Sequence, residues 1–317
     1  MTTARAFWTV APGVGRLQEE TLPEPASGQV RLRALASGVS RGTEALVFAG
    51  RVPASQYDAM KAPLMGGALP FPVKYGYALV GMTEDGARYF VLHPHQDWCL
   101  VPAAMCIPVP DTVPTRRAVL AANLETALNV LWDAAPLPGE RIMVIGAGVV
   151  GLLAASLLAR IPATQVTVVD VDSARAPLAA RFGCAFATPD AAPADQELVV
   201  HASATEAGLR LALDRAAFEA RIVEASWYGN AAPAVPLGES FHSRRLRIVC
   251  SQVGAVAAPL RGRRTYAQRL GTALDLLSDA AYDSLLQGPT RLADLPAAMP
   301  SILAPGGLCH VISYGDD

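Results

Sequence analysis

The 317-residue sequence predicts an α/β protein with a small, mostly β domain at the N-terminus and a doubly wound parallel sheet after it. Two features carry this prediction. Short alternating runs cut by proline and glycine fill about the first 120 residues, which is typical of irregular β structure. In the middle of the chain, apolar strand-like runs alternate with Ala- and Leu-rich helical runs, and this alternation favours a parallel sheet covered by helices.

Three regions follow from these patterns, with predicted bounds of 1–120, 121–255 and 256–317. The first contains the β-prone run Gln29–Leu35 and frequent breaks by proline and glycine. The third is expected to pack back on the first. Outside the middle region, the other predicted elements are helices at Val119–Ala134, Tyr266–Ser278 and Leu295–Leu303 and a strand at Leu308–Ser313.

The middle region repeats the order strand, helix, strand. Each strand-like run is short and rich in β-branched residues, and each helical run is Ala- or Leu-rich. The predicted strands are Ile142–Ile145, Gln165–Val169, Glu197–His201, Arg221–Ala225 and Arg247–Cys250, and the predicted helices are Val149–Ala159, Glu206–Arg215 and a short Ser240–Leu246.

The stretch RIMVIGAGVVGLLAASLLAR at 141–160 holds eighteen uncharged residues between two arginines. About 18 apolar residues can be enough to cross a bilayer. However, Gly146, Gly148 and Gly151 have the G-x-G-x-x-G spacing directly after a strand and before a helix. That context predicts a dinucleotide-binding turn rather than a membrane span; a βαβ unit without a ligand is the other interpretation.

In this interpretation, Gly146 makes the sharp turn, Gly148 lets the backbone approach a diphosphate, and Gly151 allows close packing of helix on strand. The helix start at Val149 and Val150 would face the phosphates. Asp170 ends the next strand, nineteen residues after Gly151. Its carboxylate suits a ribose diol and would repel a 2′-phosphate, so NAD is predicted over NADP, although Arg175 nearby weakens that preference.

Composition excludes several classes of function. The net charge of −2 gives no electrostatic basis for binding nucleic acid or an anionic membrane. The N-terminal MTTARAFWTVAPG lacks an apolar core and a cleavage-like site, so no secretion signal is expected. The five cysteines show no C-x-x-C and no regular spacing, which predicts free thiols in a cytoplasmic protein.

Several segments resemble the medium-chain dehydrogenase/reductase superfamily, which combines a GroES-like β domain with a Rossmann domain. GVSRGTE at 38–44 resembles the family's G-[IV]-C-G-T-D segment, and KYGYALVG at 74–81 its G-H-E-x-x-G segment. NLETA at 123–127 and IGAGVVG at 145–151 resemble the approach to the cofactor domain and its nucleotide loop. The likeness extends to short proteins labelled zinc-binding alcohol dehydrogenases and, more loosely, to bacteriochlorophyllide hydroxyethyl dehydrogenases.

The resemblance implies a zinc site, but the ligand positions differ. Where metal-dependent members have a cysteine and a histidine, this chain has Ser40 or Arg41 and Tyr77. Hydroxyl, guanidinium and phenol groups are not usual zinc ligands. Glu125 stands where a third ligand could be, but one carboxylate cannot hold zinc. We therefore predict no metal site.

Without zinc, other donors must stabilise the negative charge that develops on the substrate oxygen. By position in the family pattern, Tyr77 and Arg41 are the predicted donors, His95 a proton relay and Glu125 a residue that orients a histidine. Each also has a structural alternative: Tyr77 as a core aromatic, Arg41 paired with a glutamate, and His95 in a turn. The resemblance adds Thr126 to the cofactor contacts.

The sequence thus predicts a zinc-independent, NAD(P)(H)-dependent oxidoreductase acting on an alcohol/carbonyl pair in an interdomain cleft. A quinone or enone C=C reductase is one alternative, and a non-catalytic NAD-binding protein is another. The expected partner is a small-molecule substrate, with no nucleic acid and no membrane. A homodimer is expected from the resemblance.

Overall fold

The computed structural model describes residues 2–315, which form two compact units. The first unit contains the described residues through Ala122 together with those from Leu270 onward, and the second is Asn123–Arg269. Within residues 2–315, every helix is too short or too polar to span a bilayer.

The N-terminal part of the chain is mainly β structure with short helices at its edges. Its strands are β1 (Thr2–Ala11), β2 (Val14–Leu22), β3 (Gln29–Val39), β4 (Gly66–Gly67), β5 (Val73–Lys74), β6 (Leu79–Met82), β7 (Arg88–Val91), β8 (Trp98–Pro102) and β9 (Ile107–Pro108). The helices are α1 (Arg41–Phe48), α2 (Thr115–Ala118) and α3 (Ala121–Ala134), the last of which runs into the second unit.

The second unit alternates strands and helices around a parallel sheet of order β12-β11-β10-β13-β14-β15. Its strands are β10 (Arg141–Ile145), β11 (Gln165–Val169), β12 (Ala185–Ala187), β13 (Gln196–His201), β14 (Ala216–Glu224) and β15 (Arg247–Cys250). Its helices, after α3, are α4 (Val149–Leu158), α5 (Ala176–Arg181) and α6 (Glu206–Arg215).

The last part of the chain returns to the first unit. It contributes α7 (Tyr266–Leu276), β16 (Leu286–Arg291), α8 (Leu295–Ile302) and β17 (Cys309–Ser313). Strand β17 pairs antiparallel with β3, in a sheet of order β16-β17-β3-β6-β7-β9 with β8 also on β3. The second sheet of this unit has the order β2-β1-β5-β4.

The apolar stretch 141–160 contains strand β10, the glycine turn and helix α4. Ile142, Met143 and Val144 on β10 are fully buried, as expected for a strand covered on both faces. Helix α4 is buried from Gly151 through Leu158, which explains why it is apolar on all sides. The run is therefore the core of an α/β unit.

Most predicted elements are confirmed, three of them at their predicted bounds: β11, α6 and β15. Two differ. The helix expected over Val119–Ala134 begins two residues later, as α3, because 119–120 form a turn between α2 and α3. The short helix expected over Ser240–Leu246 begins and ends earlier: Leu237–Phe241 form a π-helical turn that is interrupted at Glu239 (φ −102°, ψ −127°), residues 242–243 are helical, and 244–245 form a turn.

Candidate functional site

The glycine turn between β10 and α4 has the geometry expected of a phosphate-binding loop. Gly146 has φ +104°, and a Cβ there would lie 2.9 Å from the backbone of Ala202. A Cβ on Gly151 would lie 1.9 Å from the Gly146 oxygen, so only glycine fits. At Gly148 nothing lies within 4 Å of a Cβ, so the backbone is open on that side. The space lies directly before Val149, where α4 begins.

Asp170 lies beside this turn. One of its carboxylate oxygens accepts from the Ala147 N–H at 2.6 Å, and the other accepts from the Asp172 N–H at 2.9 Å. A carboxylate has about four acceptor positions, so each oxygen retains one. Arg175 is not directed at a free anion here, because it pairs with Asp172 at 3.3 Å.

The predicted relay residue His95 lies in a buried group in the first unit, which we call the His95 cluster: Ser37, Glu44, His95 and Tyr314. His95 Nε2 is 2.9 Å from Glu44 Oε2, and Nδ1 is 2.8 Å from Ser37 Oγ. Since a carboxylate only accepts, Nε2 carries the hydrogen and Nδ1 accepts the Ser37 hydroxyl. Ser37 in turn accepts from the Tyr314 hydroxyl at 2.7 Å.

Tyr77 lies next to the His95 cluster and is half-buried. The nearby hydroxyls of Ser40 and Thr43 favour ionisation of its phenol, against the larger effects of burial and of the Glu44 carboxylate. Burial and the nearby Glu44 carboxylate raise the pKa of Tyr77 to about 12. The phenol therefore remains protonated at neutral pH and can donate a hydrogen bond.

The other predicted catalytic side chains have partners of their own. Arg41 Nε, at the start of α1, donates to the Gly307 carbonyl at 3.1 Å. Glu125 forms a buried ion pair with Arg269, whose Nε is 3.0 Å from its oxygen. The carboxylate that contacts the predicted relay residue His95 is therefore Glu44 and not Glu125. Thr126, the predicted cofactor contact, follows on α3.

A second histidine group lies at the carboxyl ends of β13 and β14. We call it the His201 cluster: His201, Ser203, Glu224 and Tyr228. His201 Nδ1 is 2.7 Å from Glu224 Oε2, and Nε2 is 2.7 Å from Ser203 Oγ. Tyr228 donates to Glu224 Oε2 at 3.0 Å. His201 is fully buried, whereas Ser203 is half-buried.

Sequence analysis missed the His201 cluster, although a signal for it exists. His201 ends one predicted strand and Glu224 lies near the end of the next, and the two are directly paired in the sheet register. Polar residues at the carboxyl edge of neighbouring parallel strands mark a site in this type of sheet.

Residues 2–315 contain no group of three or more His, Cys, Asp or Glu side chains arranged to hold a metal ion. The five cysteines, all within that range, are free thiols.

Comparison with known proteins shows the fold. No family model matches the chain. An acetophenone reductase from Geotrichum candidum in complex with NAD superposes with a TM-score of 0.78 at 17% identity, over 99% of this chain and 98% of that one. A protein described only as a zinc-binding dehydrogenase from Sinorhizobium meliloti, bound to NADP, gives 0.79 at 16%, over 99% and 100%. The predicted GroES-like plus Rossmann architecture is confirmed.

Curated relatives match over shorter segments. L-threonine 3-dehydrogenase from Stenotrophomonas maltophilia is 30% identical over 110 residues, which is 33% of this chain and 28% of that protein. D-xylulose reductase A from Aspergillus niger is 27% identical over 122 residues, which is 38% of this chain and 31% of the relative. The chain thus spans about a third of the length of these relatives or less.

Proposed function

We propose that the chain is a NAD(H)-linked, zinc-independent oxidoreductase of the medium-chain dehydrogenase/reductase type, acting on an alcohol/carbonyl pair. The observation that carries this proposal is the glycine turn, open at Gly148 and flanked by Asp170. When bound, the nicotinamide group supplies hydride transfer to or from the carbonyl carbon. The names of the similar proteins favour an alcohol/carbonyl pair over a C=C bond as the substrate group.

The residues around the turn fit a dinucleotide. The space before Val149 admits a diphosphate, and the N-terminal N–H groups of α4 supply donors with a positive helix dipole. The two remaining acceptor positions of Asp170 match the two hydroxyls of a ribose. Its charge opposes a 2′-phosphate, and the pairing of Arg175 with Asp172 leaves that phosphate a weaker cationic partner. These features support NAD over NADP.

Tyr77 and Arg41 are the proposed donors to the substrate oxygen. A well-placed donor lowers the barrier by about 3 kcal/mol. Tyr77 suits this role because its phenol stays protonated, with its pKa raised to about 12 by burial and by Glu44. His95 would act on Tyr77 indirectly, by holding Glu44 in place. Because its partner is Arg269, Glu125 is omitted from the proposed catalytic set.

Zinc independence is proposed from the chemistry of the side chains. Tyr77 brings a phenol to the position of the histidine in metal-dependent members, and Ser40 or Arg41 brings a hydroxyl or a guanidinium to the position of the cysteine. These groups are poor zinc ligands at neutral pH. Stoichiometric zinc in purified protein, measured by elemental analysis, would contradict this part of the proposal.

We also propose that the chain works as a cytoplasmic homodimer. Its free thiols suit a reducing compartment. Strand β15 is at the edge of its sheet, and Ile248 and Val249, on opposite faces, are each 39% exposed. An apolar open edge is a template for pairing with a second copy. Light scattering should show a dimer that Ile248→Lys weakens.

Substitution in the glycine turn tests cofactor binding. Gly148→Ala adds a Cβ only to open space, so we expect at least 10-fold weaker NADH binding with an unchanged melting temperature. Gly271→Ala, also without a neighbour within 4 Å, is the matched control and should bind NADH normally. Equal NADH affinity in Gly148→Ala and the unsubstituted protein would contradict the proposal.

Tyr77→Phe tests the chemistry separately from binding. With NADH and a small aromatic ketone, we expect turnover to fall by about 100-fold while NADH affinity is retained, because one donor to the substrate oxygen is lost.

Better binding of NADPH than of NADH would contradict the role given to Asp170.

A further inference from the structure

We propose that Ser203 is an activated nucleophile, and that Ser203, His201 and Glu224 form a second catalytic site, for acyl transfer from small activated carboxylic esters. This inference does not depend on the proposed function. It stands on the geometry of the three side chains, on a glycine that makes room for them and on the backbone conformation after Ser203.

The three side chains are connected in the order that nucleophile activation requires. Glu224 Oε2 lies 2.7 Å from His201 Nδ1, so Nδ1 carries the hydrogen. His201 Nε2 is then an acceptor, 2.7 Å from Ser203 Oγ. A base in contact with the hydroxyl and a carboxylate behind the base constitute a nucleophile, a base and an orienting group.

Glu224 is held as a carboxylate. Burial alone would raise the pKa of its carboxyl group, but the hydrogen bonds from His201 and Ser226, together with the charge of His201 when it is protonated, leave that pKa below its usual value. Ser226 donates its N–H at 2.8 Å, and Tyr228 adds its hydroxyl at 3.0 Å. An ionised Glu224 stabilises the imidazolium that forms when His201 accepts the serine proton.

The surrounding chain makes room for this contact. A Cβ on Gly208, in α6, would lie 2.3 Å from Ser203 Oγ and 2.6 Å from His201 Nε2. Glycine is less favourable than alanine in a helix, so this position gives up helix stability for space. Ala204 has φ +53°, a left-handed conformation that is unfavourable for alanine and turns the chain directly after the nucleophile.

The Ser203 hydroxyl has the access that a nucleophile needs. Ser203 is half-buried, and Thr205 contacts its oxygen at 2.8 Å. With the Ser203 hydrogen directed to His201 and one lone pair accepting from Thr205, a second lone pair remains for attack. Ser37, by contrast, is fully buried beside its own histidine.

The proposed reaction needs only the ester and water. Ser203 Oγ bonds to the ester carbonyl carbon as its proton passes to His201 Nε2. The bond to the leaving oxygen then breaks, and His201 returns the proton to that oxygen, which releases the alcohol. Water repeats both steps on the acyl-serine and releases the carboxylic acid.

The experiment uses the full chain with a fluorophosphonate probe and p-nitrophenyl acetate. We expect peptide mapping to find the probe on Ser203 and not on Ser37. Ester hydrolysis should fall at least 10-fold in Ser203→Ala and in His201→Gln, and Ser301→Ala, at an exposed serine, should match the unsubstituted protein.

Glu224→Gln is a variant that should still fold, because an amide and a carboxylate have nearly the same shape. We expect it to slow labelling of Ser203 by about 10-fold while circular dichroism is unchanged. Absence of label on Ser203, or hydrolysis by Ser203→Ala at the unsubstituted rate, would overturn the proposal.

Discussion

The two histidine clusters contain the same four side-chain types, serine, histidine, glutamate and tyrosine, and they differ in which ring nitrogen faces the serine. In the His95 cluster, Nε2 meets Glu44 and Nδ1 meets Ser37, and all three side chains are buried. In the His201 cluster, Nδ1 meets the glutamate and Nε2 meets a half-buried serine.

This difference separates a structural network from a candidate reactive one. The Ser37 oxygen is enclosed, with the Tyr314 hydroxyl 2.7 Å away, so its hydrogen bonds contribute to stability and to holding Glu44 near Tyr77. Ser203 is only half-buried, and its oxygen keeps a lone pair that its hydrogen bonds to His201 and Thr205 do not use. The exposure of the serine is therefore a better guide to function than the presence of serine, histidine and glutamate in one group.

The largest expected effect is the loss of stability when the glutamate of a cluster is replaced by glutamine. Glu44→Gln should lower the free energy of unfolding by about 4 kcal/mol, because Glu44 accepts from both His95 and the Ser40 N–H in a buried setting. Glu224→Gln should cost about 1 kcal/mol, since its side chain is partly exposed. Urea unfolding measures both; equal losses would remove the distinction between the clusters.

The pH dependence of stability tests the burial of His93, two residues before His95. Burial lowers the pKa of His93 to about 4, against an ordinary value of 6.5; the hydrogen bond to the Pro94 carbonyl acts in the opposite direction, and the positive charge of Lys74 opposes protonation as well. Between these pH values the unfolded chain binds a proton that the folded chain does not. The free energy of unfolding should therefore fall by about 3 kcal/mol from this group as pH drops from 6.5 to 4.

His93→Gln tests this dependence. Its free energy of unfolding should vary less across that window, whereas His242→Gln, at an exposed histidine, should leave the pH profile unchanged. An unchanged slope in His93→Gln would show that another group is responsible.

Gly208→Ala tests the His201 cluster by filling the space beside Ser203. We expect a loss of about 2 kcal/mol in the free energy of unfolding, because the collision with Ser203 and His201 outweighs the gain in helix propensity. Labelling of Ser203 should fall at the same time. If Gly208→Ala is more stable and still labelled, the collision is relieved by movement and the glycine has no role in the site.

Local features of the sequence were sufficient to predict much of the fold and the glycine turn. Helix α6 has its predicted bounds because Thr205 caps it, with its side chain accepting from the Gly208 N–H. Gly146 directly follows β10, and Gly151 lies in the first turn of α4. Their roles therefore follow from spacing.

The histidine clusters depend on distant contacts. Glu44 and His95 are 51 residues apart and meet only through the packing of α1 against the loop before β8, which no local pattern indicates. The contact between His201 and Glu224 is easier to predict from the sequence. Once two neighbouring parallel strands are assigned, their last residues are expected to be adjacent.

The smallest expected effect comes from a matched pair of tyrosine substitutions. Tyr314→Phe removes the hydroxyl that donates to the buried Ser37 and should lower the free energy of unfolding by about 1 kcal/mol. Tyr228→Phe removes a donor to Glu224 where water can replace it, so we expect a loss of about 0.3 kcal/mol. Thermal or urea unfolding of the two variants compares them directly. A larger loss for Tyr228→Phe would mean that the His201 cluster is the more tightly enclosed of the two, and the accessibility assigned to Ser203 would then be wrong.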